Sequence, residues 1–155
     1  MSANLLLRFA LAAGLCVLAG GVAAYPPPGG MADRQSQKNL ILAFYQVAFS
    51  GTSRPVDGFF ARSFIQHDPE IEDGIAGFKK YRQHLLTAYP HYSSEIRRIT
   101  ASGGLVTVHV LERLNPWDRG NVQIHMYRIS YGAIAEHWVV GNPIPATGRN
   151  ANGLI

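Results

Sequence analysis

Cysteine is almost absent from this chain. The one thiol, Cys16, lies in an apolar N-terminal stretch, so the chain beyond that stretch has no disulfide, no thiolate nucleophile and no cysteine metal site. Charge is scarce as well: charged residues are 15% of the 155 positions against 47% hydrophobic, the composition of a packed domain rather than a disordered chain. The formal net charge is +4, and setting Arg8 aside with the leader leaves 13 basic against 10 acidic residues. Basic side chains gather only at Lys79, Lys80 and Arg82 and at Arg97 and Arg98, which reads as solvated surface, so no nucleic-acid partner is expected. No Gly-x-Ser-x-Gly, no Gly-x-x-x-x-Gly-Lys and no His-x-x-x-His occurs. A nucleophile elbow, a phosphate cradle and a helical metal pair therefore all lack support, and the expectation is a protein with no metal and no cofactor.

What is there begins with a leader. Residues 9–24 form an uninterrupted apolar run, about the length of a signal-peptide core and short for a membrane span. Val22-Ala23-Ala24 offers small residues for cleavage after Ala24, although the basic n-region is only Arg8, which leaves an uncleaved anchor as the alternative. Residues 1–24 are read as a signal peptide and the protein as secreted or periplasmic, with no other membrane contact. Residues 25–32, with Tyr25-Pro26-Pro27-Pro28-Gly29-Gly30, are read as a stiff linker. Residues 33–145 make one domain and 146–155 a tail.

Within the domain, hydrophobic periodicity predicts a helix over 33–49 with Asp33 as N-cap, a short second helix opened by Pro55, and a third over 74–89 capped by Asp73. Phe64-Ile65-Gln66-His67 reads as a brief extended piece. Residues 93–101, 105–114, 121–130 and 133–142 alternate as strands, with turns at Gly103-Gly104, 115–120 and Tyr131-Gly132. Helices followed by a meander make an α+β order: three N-terminal helices on a curved four-stranded antiparallel sheet enclosing a cone-shaped cavity.

Several segments carry a resemblance. Residues 39–49, the run Phe64-Ile65-Gln66-His67-Asp68-Pro69 with Asp73-Gly74 and Gly77-Phe78 after it, Asp118-Arg119-Gly120, Tyr127-Arg128-Ile129, and Glu136-His137-Trp138 with Pro143-Ile144-Pro145 are similar, in order and spacing, to SnoaL-like proteins of the nuclear transport factor 2-like superfamily. The resemblance spans roughly residues 36–150. It implies a cone fold, often a homodimer, with a pocket for an apolar small molecule; some members close polyketide rings, relatives isomerise ketosteroids or hydrolyse epoxides, and others only bind. Fold therefore does not settle function. This chain departs from the family at His125 and Val139, where aspartates are usual, and at Asn142, in place of a glutamine.

Candidate chemistry comes from the last hairpin. A plain ladder running from a two-residue turn at Tyr131-Gly132 pairs Tyr127 with Glu136 and His125 with Trp138, which places His125, Tyr127, Glu136 and Trp138 on one face and His137 with Arg128 on the other. On that register His125 replaces the family's carboxylate as general base and Glu136 orients it; the plainer reading is a half-buried histidine satisfied by its neighbours. His67 either donates to a substrate carbonyl or fixes the turn into the third helix with Asp68. Tyr45, His109, Tyr127 and Trp138 are candidate substrate-binding residues, and Trp117, Tyr81 and Phe44 further aromatics for pocket or core. Two functions stay open: a cofactor-independent lyase, cyclase or isomerase moving a proton on an apolar carbonyl compound, or a non-catalytic binding or self-assembling cone.

Overall fold

The computed structural model describes residues 31–51 and 54–155. The expected signal peptide and residues 25–30 of the linker lie outside these residues. Among the described residues no helix is long and apolar enough to cross a membrane.

Helix α1 spans Met31–Ala48. It begins before the expected cap, so Asp33 sits in the first turn, where its carboxylate suits the helix dipole and accepts from Gln37 Nε2 at 2.6 Å. Ile41, Phe44, Tyr45 and Ala48, at helical spacing, are buried. The C-terminal carbonyls of Val47 and Ala48 accept from Arg82 at 3.0 and 2.7 Å.

The expected second helix is reduced to a 3₁₀ turn, Asp57–Phe59, and strand β1 follows at Phe60–Gln66. Phe60, Phe64 and Gln66 are buried on one side, and the strand's end pairs in parallel with β5 through Ile65–Glu136 and Gln66–His137. Pairing with a neighbour remote in sequence, aided by a run of aromatic and β-branched side chains, overrides the helical start that Pro55 offers. Helix α2, Gly74–Ala88, starts where Asp73 predicts: its Oδ1 accepts from Gly74 N at 2.8 Å and from Gln66 N at 2.7 Å, tying the helix to β1. Gly77 lets the loop before α2 press onto the helix, since a Cβ there would lie 1.8 Å from the Glu72 carbonyl oxygen.

Strands β2 (Ser93–Ser102), β3 (Leu105–Arg113), β4 (Asn121–Ser130) and β5 (Ala133–Pro143) complete the sheet in the order β1-β5-β4-β3-β2, antiparallel apart from β1–β5. The architecture is thus α+β as expected, but the described residues form two α-helices rather than three and five strands rather than four. Helix α1 packs on β2 and β3, and α2 on β1. Phe44 sits at the centre of the core they enclose, its ring within 6.0 Å of those of Tyr45, Phe49, Phe59, Phe60, Phe78 and Tyr127.

The last hairpin corrects the expected register. Tyr131 and Gly132 both have positive φ, 50° and 76°, which is the two-residue turn expected. Ser130–Ala133 and Ile129–Ile134 pair as foreseen, but the ladder then shifts: Arg128 opposes Glu136, Tyr127 opposes His137, Met126 opposes Trp138 and His125 opposes Val139. One extra residue on β5, Ala135, is left without a partner. Such a bulge exchanges the faces of everything beyond it. His137 therefore points into the cone, and Glu136 and Trp138 point out.

Candidate functional site

The inner face of the sheet is built by alternation. On β3, Val106, Val108, Val110 and Glu112 face inward and are buried. Across the β3–β4 ladder, Val106 opposes Tyr127, Val108 opposes His125 and Val110 opposes Gln123. The bulge adds His137 beside Tyr127, and the parallel pairing brings Gln66 beside His137.

These side chains join in a hydrogen-bonded row. Gln123 Oε1 lies 2.6 Å from His125 Nε2, His125 Nδ1 lies 2.9 Å from His137 Nε2, and His137 Nδ1 lies 2.9 Å from Gln66 Oε1. Gln66 Oε1 also accepts from the backbone N–H of Asp68 at 3.0 Å. The Tyr127 ring lies nearly parallel to both imidazoles, with centroids 6.1 Å from His125 and 4.7 Å from His137. The Tyr127 hydroxyl shares a 3.0 Å hydrogen bond with that of Tyr45. Glu112 accepts from the Tyr92 hydroxyl at 2.6 Å, and its Oε1 stands 3.9 Å from His125 Nε2.

Burial sets the electrostatics. His125 and His137 are 6% and 5% exposed, and withdrawal from water disfavours their cations. It holds His125 well below its ordinary value, with His137 adding to the effect, and pushes His137 down to about 3, with His67 adding to it. The same burial pushes Glu112 up to about 7, against the opposing pull of the Tyr92 hydrogen bond. Tyr45 and Tyr127 are raised above the phenol range, chiefly by burial. Near neutral pH the site thus offers unprotonated imidazoles beside a carboxyl group poised to gain or lose a proton.

Phe49, Ile71, Phe78 and Tyr81 line the apolar side of the cavity, and Asp68, Glu112, Gln123, His125, Tyr127 and His137 the remainder. Its volume is about 30 Å³, room for one or two waters. Any larger guest must displace side chains. Among the described residues no three His, Cys, Asp or Glu side chains converge as a metal ion would require.

Of the residues singled out from sequence, Tyr45, His125 and Tyr127 meet inside the cone. The expected neighbour of His125, Glu136, does not join them, because the bulge turns it outward. There it binds His67 Nε2 at 3.1 Å and the Arg128 guanidinium, and His67 stacks on Trp138 with centroids 4.5 Å apart. Glu136, His67 and Trp138 thus form a second cluster on the outer face. Burial raises the Glu136 carboxyl, but its bonds to His67 and Arg128 outweigh this and hold it below the usual range. His109 also faces outward and accepts from Arg98 at 2.8 Å, and Trp117 is 83% exposed. Glu112, Gln123, Gln66 and His137 were not identified as site residues from sequence. Glu112 had a legible signal, a carboxylate in phase with three inward valines; His137 had none, since only the bulge turns it inward.

The family model described as "SnoaL-like domain" matches residues 41–137. A search of curated proteins finds no match. Similar solved structures include a candidate ketosteroid isomerase from Kribbella flavida (15% identity, 79% of this chain and 90% of that one, TM-score 0.62). A candidate polyketide cyclase from Bacillus cereus (19% identity, 69% and 74%, TM-score 0.60) is similar too. So is IdmH, a candidate polyketide cyclase from Streptomyces antibioticus (20% identity, 68% and 91%, TM-score 0.56). At these identities the likeness is one of fold.

Proposed function

This chain belongs to the SnoaL-like domain family, and from that premise we propose that it is an exported small-molecule-pocket protein that moves a proton on an apolar carbonyl compound, as a cofactor-independent lyase, cyclase or isomerase. One observation carries the reading: a buried pair of unprotonated imidazoles, His125 and His137, beside a carboxyl group, Glu112, whose proton affinity lies near neutrality. An imidazole kept neutral by burial can take a proton next to a carbonyl without first losing one, and the Glu112 carboxyl beside it, near neutrality, can share that proton. His125 is the general base, at the position the family usually fills with aspartate, and His137 takes the neighbouring role that the plain ladder gave to Glu136. Tyr127 lines the cavity, and with Tyr45 supplying the hydrogen of their shared bond its own hydroxyl can donate to a developing oxyanion.

Deuterium incorporation tests this without a named substrate. Apolar ketones and β-keto esters are incubated with the protein in deuterated buffer and their α-positions followed by NMR. At least one class should exchange, and His125→Ala should slow that exchange about 100-fold or more. Equal rates in His125→Ala and the unaltered protein would sink the assignment.

The absence of aspartate at positions 125 and 139, where this family usually has it, favours a second reading, a binding cone without turnover. Native mass spectrometry of the exported protein, with organic extraction, separates the two: a retained apolar compound with no α-exchange supports binding alone. Export draws on the apolar run over residues 9–24 and the small residues before position 25. A homodimer is part of the same proposal. Its support is the exposure of Ile65, Met126 and Val140, at 44%, 39% and 69%. Light scattering should return twice the chain mass, and a monomer at micromolar concentration would remove the dimer.

A further inference from the structure

The buried row has a direction, and one backbone hydrogen fixes it. The Asp68 N–H can only donate, and it donates to the Gln66 side chain at 3.0 Å. The atom facing it must therefore be the amide oxygen. Turning the amide over would set an NH₂ group against a donor. The orientation has a cost, since Gln66 Nε2 is buried with no hydrogen-bond partner. Because the same oxygen faces His137 Nδ1 at 2.9 Å, the hydrogen of that contact sits on Nδ1. A neutral imidazole has a single N–H, so His137 Nε2 carries a lone pair. That lone pair faces His125 Nδ1 at 2.9 Å, which must then hold its ring's hydrogen. What remains is His125 Nε2, a bare lone pair beside the cavity and 3.9 Å from the Glu112 carboxyl.

We infer that Gln66 and His137 are positioning residues that set the tautomer of His125, so that Nε2 is the one ring nitrogen of the pair free to take a proton from a bound molecule. Gln123 completes the arrangement. Its amide faces Nε2 at 2.6 Å, and a half-turn about its last side-chain bond exchanges oxygen for nitrogen. With the NH₂ toward Nε2 the amide donates to the neutral ring; with the oxygen toward Nε2, as seen, it accepts from the ring after proton uptake. Gln123 so follows the proton state of His125 without breaking the row. The burial that keeps both rings neutral at rest supports the same reading. No proton is created in the step: the carbon–hydrogen bond of the bound molecule breaks, the proton passes to Nε2, and the electron pair stays on the carbonyl compound as its enolate. Return of the proton from Nε2 restores the ring.

The catalytic meaning of the relay rests on the proposed proton transfer, but the tautomers can be measured without any substrate. The test is two-bond proton–nitrogen NMR on the protein with ¹⁵N-labelled histidine at pH 7. Both His125 and His137 should carry their hydrogen on Nδ1, with pyridine-like Nε2. An Nε2–H form of either ring, the form an unconstrained imidazole prefers, overturns the relay. Gln66→Leu removes the anchor and should return both rings to mixed tautomers and slow α-proton exchange roughly tenfold or more, as for other residues that orient a functional histidine. Gln66→Glu keeps an acceptor and should keep both Nδ1–H tautomers; their loss there would also overturn it. If Gln66→Leu does not fold, the unaltered protein and Gln66→Glu still decide. A protein with the stated tautomers that exchanges no ketone loses the proposed activity and keeps the relay. One that exchanges ketones with the opposite tautomers keeps the activity and loses the relay.

Discussion

The two faces of the sheet hold nearly the same inventory in different surroundings. Inside the cone, Glu112, His125, His137 and Tyr127 lie almost out of reach of water. Outside, Glu136, His67, Arg128 and Trp138 gather within one cluster, with the Glu136 and His67 side chains 22% and 36% exposed. Each face has a carboxylate near an imidazole and an aromatic ring. Outside, a guanidinium supplies the missing positive charge and solvent screens what remains, so Glu136 stays a low-affinity carboxylate, as surface ion pairs do. Inside, desolvation is the largest influence: it raises Glu112 while it lowers both histidines. Burial thus inverts the usual order: the Glu112 carboxyl, raised to about 7, holds its proton more tightly than His137, lowered to about 3. Burial rather than residue type separates the proposed site from a surface cluster.

The sharpest way to break the comparison is to open the inner face. Phe44 is 1% exposed and holds both helices to the sheet. Phe44→Ala should cost about 3–5 kcal/mol in chemical denaturation, whereas a loss below about 1 kcal/mol would mean that the core is not assembled as described.

Next comes the buried carboxyl. Glu112 is raised in the folded state to about 7 from 4.5, so the folded protein holds that proton more tightly than the unfolded chain. Stability from this group is complete below about pH 4.5 and is lost as pH rises to about 7. Glu112→Gln removes that loss. At roughly 1.4 kcal/mol per unit, the variant should be on the order of 2 to 3 kcal/mol less penalised than the unaltered protein at pH 8 relative to pH 4.5, read from denaturation at both values. An unchanged pH difference would show that Glu112 is not desolvated.

The histidines work in the opposite sense. Their folded affinities are depressed, so below the unfolded value of 6.5 the unfolded chain takes protons that the folded protein refuses, and stability declines as pH falls, for His137 down to about 3. Melting temperature should drop between pH 7 and pH 5, and His137→Gln should flatten that drop. The smallest effect belongs to the outer face. Glu136→Gln should change stability by less than about 1 kcal/mol, and a larger cost would erase the contrast between the faces.

Much of the fold was legible in local chemistry. Asp73 names the start of α2, Tyr131 and Gly132 name the hairpin turn, and alternation names β2 to β5. What escaped was non-local. Strand β1 runs from Phe60 to Gln66 because β5 offers it a parallel edge; local sequence showed only an extended piece from Phe64 and could not show that partner. The bulge at Ala135 costs one unpaired residue and moves every later side chain of β5 to the opposite face, so a register extended from the turn was right for two pairs and wrong beyond them. The site inherited that error: His125 was found, its partner His137 was placed outside, and Glu136 was placed inside. Glu112 could have been read from its phase with Val106, Val108 and Val110.

The central claim is that proton transfer belongs to the inner face. The most direct test compares α-deuteration of an exchanging ketone by the unaltered protein, His125→Ala and Glu136→Gln under identical conditions. We expect His125→Ala to lose about 100-fold or more, with Glu136→Gln close to the unaltered rate. Loss in Glu136→Gln with exchange retained in His125→Ala would place the chemistry on the outer face and contradict the account.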